Sequence, residues 1–181
     1  MTALAIALAW GFAEATFFFL VPDVWLSFLA IESFTAGVAG SLAALAGALH
    51  GGAVFWLWGR NNEVSAKAFL NKVPAIGPEL VNRVAGQLAA RGLMAVLLGP
   101  LQGIPYKIYA VECGVRNRSL AAFLLISIPA RYVRFFFAVV AFALASRYLL
   151  PLEMQGKRIA VAVFWLAFYA FYFRKFGWKG R

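Results

Sequence analysis

The sequence predicts an all-α, polytopic integral membrane protein whose 181 residues form a single membrane domain. Hydrophobic residues make up 64% of the chain and charged residues only 13%, whereas soluble domains are about half apolar and a quarter charged. Mean hydropathy is +0.80. Two apolar segments are also interrupted by proline and charge, which predicts two broken or re-entrant helices within the membrane.

The charge pattern favours a lipid partner over a nucleic acid. The net charge is +10, but the basic residues lie between long apolar runs rather than on a polar domain, so anionic headgroups are the expected partner. Cys113 is the single cysteine, which excludes an intrachain disulfide and a thiolate metal cluster. His50 is the single histidine, and no metal or other cofactor is predicted.

Familiar catalytic motifs do not occur in the sequence. Without GxxxxGK[ST], transport by this chain is not driven by ATP bound to it. The absence of GxSxG, HExxH and paired histidines argues against an enzyme. We therefore expect a non-enzymatic membrane function.

The first interrupted segment covers residues 14–34. The chain is apolar from Thr2 to Val21 apart from Glu14, and Pro22 and Asp23 then break the run. A helix that spans the membrane and one that turns back at Pro22 both fit this pattern. The N-terminus lacks the basic start of a secretory signal, so we expect it to be retained as structure.

Residues 35–59 are predicted to span the membrane, and a polar region follows at 60–92. Small residues recur every four positions in the span and should let another helix approach closely: Ala36, Gly40, Ala44, Ala48 and Gly52. The polar region is predicted to be cytoplasmic and to contain an amphipathic helix with apolar residues at Leu80, Val81, Val84, Ala85 and Leu88. That helix lies either on the membrane surface or against protein.

The second interrupted segment covers residues 98–114. Four residues disfavour a regular helix there: Gly99, Pro100, Gly103 and Pro105. Lys107 and Glu112 add charge to the same apolar segment. Ionisable groups at membrane depth are costly and usually functional, so this segment is expected to form half of a polar site.

A long apolar run at 120–150 contains Arg131 and Arg134, and a final span is expected at 159–173. That last span is about 15 residues long, against the roughly 20 needed to cross a bilayer. Basic residues set the orientation. The 60–92 region and the basic tail are predicted to be cytoplasmic, the tail carrying Arg174, Lys175, Lys179 and Arg181.

The intramembrane charges suggest the chemistry, with alternatives. Arg131 and Arg134 share a helical face and suit a phosphate group, or they neutralise Glu14 and Glu112 and hold helices together. Lys107 either presents its amine to an anionic headgroup or extends to the membrane interface. Glu14, and with it Asp23, either exchanges protons as a buried carboxylate or sits at a helix end near the interface.

Four segments of the chain resemble the DedA family, also described as the VTT or SNARE-associated domain, and most closely its small YqaA-type members. They are EATFFFLVPD (14–23), GALHGGAVFWLWGR (47–60), GIPYKIYAVECG (103–114) and ARYVRFF (130–136). The family's acid in the first re-entrant segment is matched by Glu14 and Asp23, and its later basic residues by Lys107, Arg131 and Arg134. Many members carry Gly-Asp where this chain has Gly51-Gly52, which puts a proton-coupling role for that acid in doubt.

The resemblance implies a protein of the bacterial inner membrane with two re-entrant segments in inverted orientation. It implies an ATP-independent flippase or scramblase for an anionic or phosphate-bearing lipid, such as undecaprenyl phosphate or a phospholipid. Lys107, Arg131, Arg134 and Tyr106 would bind the headgroup, while Glu14, Asp23 and Glu112 would couple protons or balance charge. Proton coupling and a homo-oligomer are both left open. The rival hypothesis is a membrane scaffold or envelope-maintenance protein whose charges form structural ion pairs.

Overall fold

The computed structural model describes residues 1–149 and 151–176. Leu150, at the end of the predicted 120–150 run, and the basic residues Lys179 and Arg181 lie outside that part of the chain. In chain order the helices are α1 (Thr2–Ala15), α2 (Asp23–Glu32), α3 (Phe34–Asn61), α4 (Glu63–Leu70), α5 (Pro78–Arg91), α6 (Met94–Leu98), α7 (Tyr106–Val115), α8 (Leu120–Tyr148) and α9 (Met154–Phe176), with a 3-10 turn at Gly99–Gln102.

All regular structure in the described residues is helical, as predicted. Three helices, α3, α8 and α9, are long and apolar enough to cross a membrane, and α1 is a shorter apolar helix. These helices support a multi-pass membrane protein. The final helix has 23 residues rather than the 15 expected. It begins at Met154, so that Lys157 and Arg158, interpreted as flanking residues, lie inside its first turns, and it continues beyond Phe173 to Phe176.

Both interrupted segments are breaks between helices. α1 ends at Ala15, where the Thr16 hydroxyl donates back to the Phe12 carbonyl at 2.8 Å, and α2 begins after Pro22. The second break has Gly103 in the left-handed region at φ +68° and Pro105 directly before α7. Left-handed backbone favours glycine, and proline lacks the N–H of a continuing helix. A break followed by a ten-residue helix and then a long helix thus occurs twice, with α2 and α3 after the first break and α7 and α8 after the second.

The two long helices α3 and α8 pack side by side in opposite directions. Near the start of α3 the Phe34 ring lies 6.4 Å from that of Phe136, in the second half of α8. Near the end of α3, Trp56 Nε1 donates to the Arg118 carbonyl just before α8 at 3.1 Å. Pro129 lies inside α8 without ending it. This antiparallel pair positions the other elements.

The small residues of α3 allow the close packing expected of them. Ala44 is fully buried against Gly11 of α1, and Gly40 faces Leu29 of α2. The closest contact with α1 also involves Gly47, which lies outside the predicted four-residue repeat and meets the Leu8 backbone. A side chain at such a position would separate the helix axes.

The predicted amphipathic helix is α5, which buries Val81, Val84 and Leu88 in the hydrophobic core of the protein. Its Gln87 side chain accepts a hydrogen bond from the Tyr109 hydroxyl of α7 at 2.6 Å. Of the two alternatives for this helix, packing against protein is therefore the one observed.

Candidate functional site

The two helix breaks meet through Lys107. This residue lies in the first turn of α7, directly after the second break, and is 2% exposed. Its ammonium donates a 2.7 Å hydrogen bond to the carbonyl of Phe18, which lies in the first break. A carbonyl outside regular helix is free to accept such a bond. The two interrupted segments are thus in direct polar contact.

Glu14 and Arg131 form a buried ion pair beside this contact. Arg131 Nη1 lies 3.3 Å from Glu14 Oε1, and Nη2 donates to Oε2, so the guanidinium contacts both carboxylate oxygens. Its central carbon is also 4.9 Å from the ring centroids of both Tyr106 and Phe135. Arginine is suited to this double recognition because its planar fork matches an oxyanion and stacks on aromatic faces.

A second ion pair joins Arg134 of α8 to Asp23 at the start of α2. The Arg134 side chain is 31% exposed, unlike Arg131, so it is the cation of the group that solvent or lipid can reach. Asp23 Oδ1 is buried and accepts no hydrogen bond from the described residues. This pair is therefore more accessible than Glu14–Arg131, and each pair leaves one buried polar atom without a hydrogen bond among the described residues: Asp23 Oδ1 in one and Arg131 Nε in the other.

Glu112 is not part of this cluster. Its buried carboxylate lies 2.9 Å from Lys67 Nζ of α4 and 3.6 Å from Arg116 Nε. The hypothesis that the two arginines neutralise Glu14 and Glu112 is thus right for Arg131 and Glu14 only, because Arg134 pairs with Asp23. Glu112 balances charge in a separate network that ties α7 to the polar region.

Tyr106 packs against the charged residues through its aromatic ring. Its buried ring stacks on the Phe123 ring, with 5.5 Å between the ring centroids. The same ring also contacts the Arg131 guanidinium, which pairs with Glu14. A Cβ on Gly52 would lie 2.8 Å from Tyr106 Cε1. Glycine at residue 52 is therefore required by the tyrosine ring, which explains physically why this chain has no acid there.

Sequence reasoning missed the contribution of α9. The Tyr169 hydroxyl accepts a 2.9 Å hydrogen bond from the Val21 amide in the first break, and Trp165 Nε1 donates to Ser27 of α2 at 2.9 Å. These two aromatic residues are four apart and so share one helical face. That spacing is the feature of the sequence from which the contribution of α9 to the site could have been predicted.

The cluster consists of Glu14, Asp23, Lys107, Arg131 and Arg134. With all five ionised, three cations and two carboxylates leave one positive charge in excess. A buried excess charge is unfavourable unless a counter-ion compensates it, so the arrangement favours an anion and provides N–H donors for it.

No family model, curated protein or solved structure matches this chain.

Proposed function

We propose that this chain is a DedA-type, ATP-independent lipid transporter of the bacterial inner membrane, a flippase or scramblase with a cytoplasmic C-terminus. It would move an anionic, phosphate-bearing lipid such as undecaprenyl phosphate or a phospholipid between leaflets. The two broken segments would be re-entrant and inverted relative to each other, as in transporters built from inverted repeats. The observation that carries the proposal is the contact of the two breaks at a buried cluster with excess positive charge.

The ion pairs suggest how a headgroup would be received. A phosphate offers the same paired oxygens as a carboxylate, so it can replace Asp23 at the partly exposed Arg134. Lys107 makes no ion pair with a carboxylate among the described residues, and its ammonium supplies the unmatched charge. In this scheme the carboxylates pair with the guanidinium groups after one substrate molecule has left and before the next has bound. The buried cations are therefore never left unpaired.

The test is lipid movement in proteoliposomes that contain fluorescent phosphatidylglycerol, with dithionite bleaching of the outer leaflet. The wild type should move lipid faster than empty vesicles. Lys107→Gln keeps a donor for Phe18 but removes the excess charge, and we expect the rate to fall about tenfold, equivalent to about 1.4 kcal/mol. Lys72→Gln, at an exposed position, is the matched control.

Two results would refute the transport proposal. One is a wild-type rate equal to that of empty vesicles across phosphatidylglycerol, phosphatidic acid and undecaprenyl phosphate. The other is a Lys107→Gln rate equal to that of Lys72→Gln. Arg131→Lys extends the test, since it keeps the charge and loses the planar fork; it should slow transport while the protein still folds.

A membrane scaffold is the second candidate, because both arginines are already paired with carboxylates. Exchanging the partners in the double variant Glu14→Arg and Arg131→Glu distinguishes the two functions. A scaffold needs only the pair, so the exchange should restore folded yield and scaffold function relative to either single variant. A transporter also needs the cation at its place on α8, so an exchange variant that folds but moves no lipid, in an assay in which the wild type does move lipid, supports transport.

A further inference from the structure

Two pockets with basic linings occur at opposite ends of the α3–α8 pair. The first pocket, of about 390 Å³, is bordered by the start of α3 and the end of α8, with the end of α2 and the start of α9 beside them, and its lining includes Glu32, Ser33, Phe34, Leu144, Arg147 and Lys157. The second pocket, of about 290 Å³, is bordered by the end of α3 and the start of α8, including Leu57, Arg60, Arg118, Ser119 and Leu120. Neither pocket includes a residue of the central charge cluster.

The two pockets are built from matching positions of the two long helices. Each contains the serine that caps one helix, and the Ser33 and Ser119 hydroxyls both accept from the amide three residues later, at 3.4 and 3.3 Å. Each also contains residues with the same spacing near the end of the other helix. In the first pocket these are Ala143, Leu144 and Arg147, and in the second they are Trp56, Leu57 and Arg60.

Both pockets combine cations with apolar side chains, and the first also includes Glu32, whose carboxylate is paired with Arg158 outside the pocket lining. In the second, Arg60 and Arg118 are exposed, and the Arg60 guanidinium lies 5.3 Å from the Trp56 ring centroid. In the first, Lys157 Nζ donates to the Ser146 carbonyl at 2.8 Å beside Arg147. No described carboxylate pairs with Arg60, Arg118, Arg147 or Lys157. Such surroundings suit an anionic group attached to a hydrocarbon chain.

The separation of the pockets matches a bilayer. A rise of 1.5 Å per residue puts Phe34 and Trp56 about 33 Å apart along α3, close to the roughly 30 Å hydrocarbon core of a membrane. On α8, Arg131 lies about 17 Å from Leu120 and about 18 Å from Ala143 by the same measure. The central charge cluster is therefore halfway between the two pockets.

We propose that the two pockets are docking sites for the phosphate headgroup of an anionic lipid, one at each membrane surface, with the central cluster at mid-depth between them. The basic side chains engage the phosphate, and the neighbouring apolar residues contact the first part of the acyl chains. The choice of a lipid as ligand rests on the proposed transport function, whereas the pairing and spacing of the sites do not.

The experiment is native mass spectrometry of the full chain titrated with dioctanoyl phosphatidic acid. Arg60→Gln with Arg118→Gln neutralises the second pocket, and Arg147→Gln with Lys157→Gln the first. The control, Arg83→Gln with Arg91→Gln, removes two exposed charges of α5. Each pocket variant should bind one lipid fewer than the wild type, with an affinity at least about tenfold weaker for the lost site, and the control should bind the wild-type number. Should Lys157→Gln disturb folding, Arg147→Gln alone tests the first pocket.

Unchanged stoichiometry in both pocket variants, or an equal loss in the control, would overturn the proposal in favour of general surface charge. Displacement of the lipid by equimolar inorganic phosphate would overturn the assignment to a lipid. The transport proposal fails separately: Lys107→Gln with undiminished lipid movement refutes it even where lipid binding at both pockets is normal.

Discussion

Replacing Gly47 by alanine should loosen the contact between α1 and α3. A Cβ built on Gly47 would overlap the Leu8 carbonyl oxygen and lie 2.9 Å from the Phe12 amide nitrogen. Carbon atoms pack best at about 3.5–4.0 Å, and the obstacle is backbone that no rotamer change can move. The helices must therefore separate, and α1 carries Glu14 away from Arg131.

The magnitude follows from comparison with Gly86 of α5, where an added Cβ meets nothing within 4 Å. Gly86→Ala should stabilise the protein by about 0.5–1 kcal/mol through helix propensity. Gly47→Ala has the same gain in helix propensity, but overpacking lowers its free energy of unfolding by about 1–3 kcal/mol. The two variants should thus differ by roughly 1–3 kcal/mol in the free energy of unfolding, with Gly47→Ala the less stable.

The assay is reversible unfolding in mixed micelles of dodecyl maltoside and SDS, followed by far-ultraviolet circular dichroism. Lipid movement in proteoliposomes should also fall for Gly47→Ala and remain at the wild-type rate for Gly86→Ala. Equal stability of the two alanine variants would show that α1 and α3 are not packed backbone to backbone at this level.

Three further expectations concern residues outside the charge cluster. Burial lowers the pKa of Lys67, but the hydrogen bonds and charges of Glu63 and Glu112 outweigh this effect and raise the pKa above the ordinary value of 10.5. The stabilisation of the folded protein by charged Lys67 is therefore complete below pH 10.5 and is lost as the pH rises through the higher folded-state pKa. The thermal midpoint of the wild type should fall more steeply in that pH range than the midpoint of Lys67→Met. Cys113 is fully buried, so N-ethylmaleimide should label it only after unfolding in SDS, and rapid labelling of folded protein would contradict the packing of α7. His50 is exposed, and His50→Ala should keep lipid movement and stability within about 0.5 kcal/mol of the wild type. Loss of activity in this variant would contradict the expectation of a non-enzymatic function.

The helix breaks could be predicted from the sequence because their causes are local. Proline, glycine and the charges beside them disfavour continuous helix wherever they stand, and Pro22, Gly103 and Pro105 do so here. The long helices α3 and α8 were likewise visible as apolar runs. The extent of α9 was not, because apolar content alone does not show that a helix continues through Lys157 and Arg158.

The charge partners could not be predicted, since pairing depends on distances that the sequence does not contain. Glu112 and Glu14 are both acids in apolar segments, yet Glu112 lies against Lys67 and Glu14 against Arg131. The role of Phe18 was also hidden, because it contributes a backbone carbonyl, which every residue has. The Phe18 carbonyl is free to accept a hydrogen bond from Lys107 only because it lies in the break between α1 and α2.

The attachment of α9 has a consequence for access to the interior. Only 6% of the most apolar stretch of this helix is buried. Its polar bonds to the first broken segment and α2 include those of Tyr169 to Val21, Trp165 to Ser27 and Arg158 to Glu32. By contrast, α1 and α3 interlock through glycines. Separating α9 from α2 thus breaks a few exposed or partly buried hydrogen bonds rather than a large buried interface. A sideways opening along that seam would expose Asp23 and Arg134 to the surrounding acyl chains.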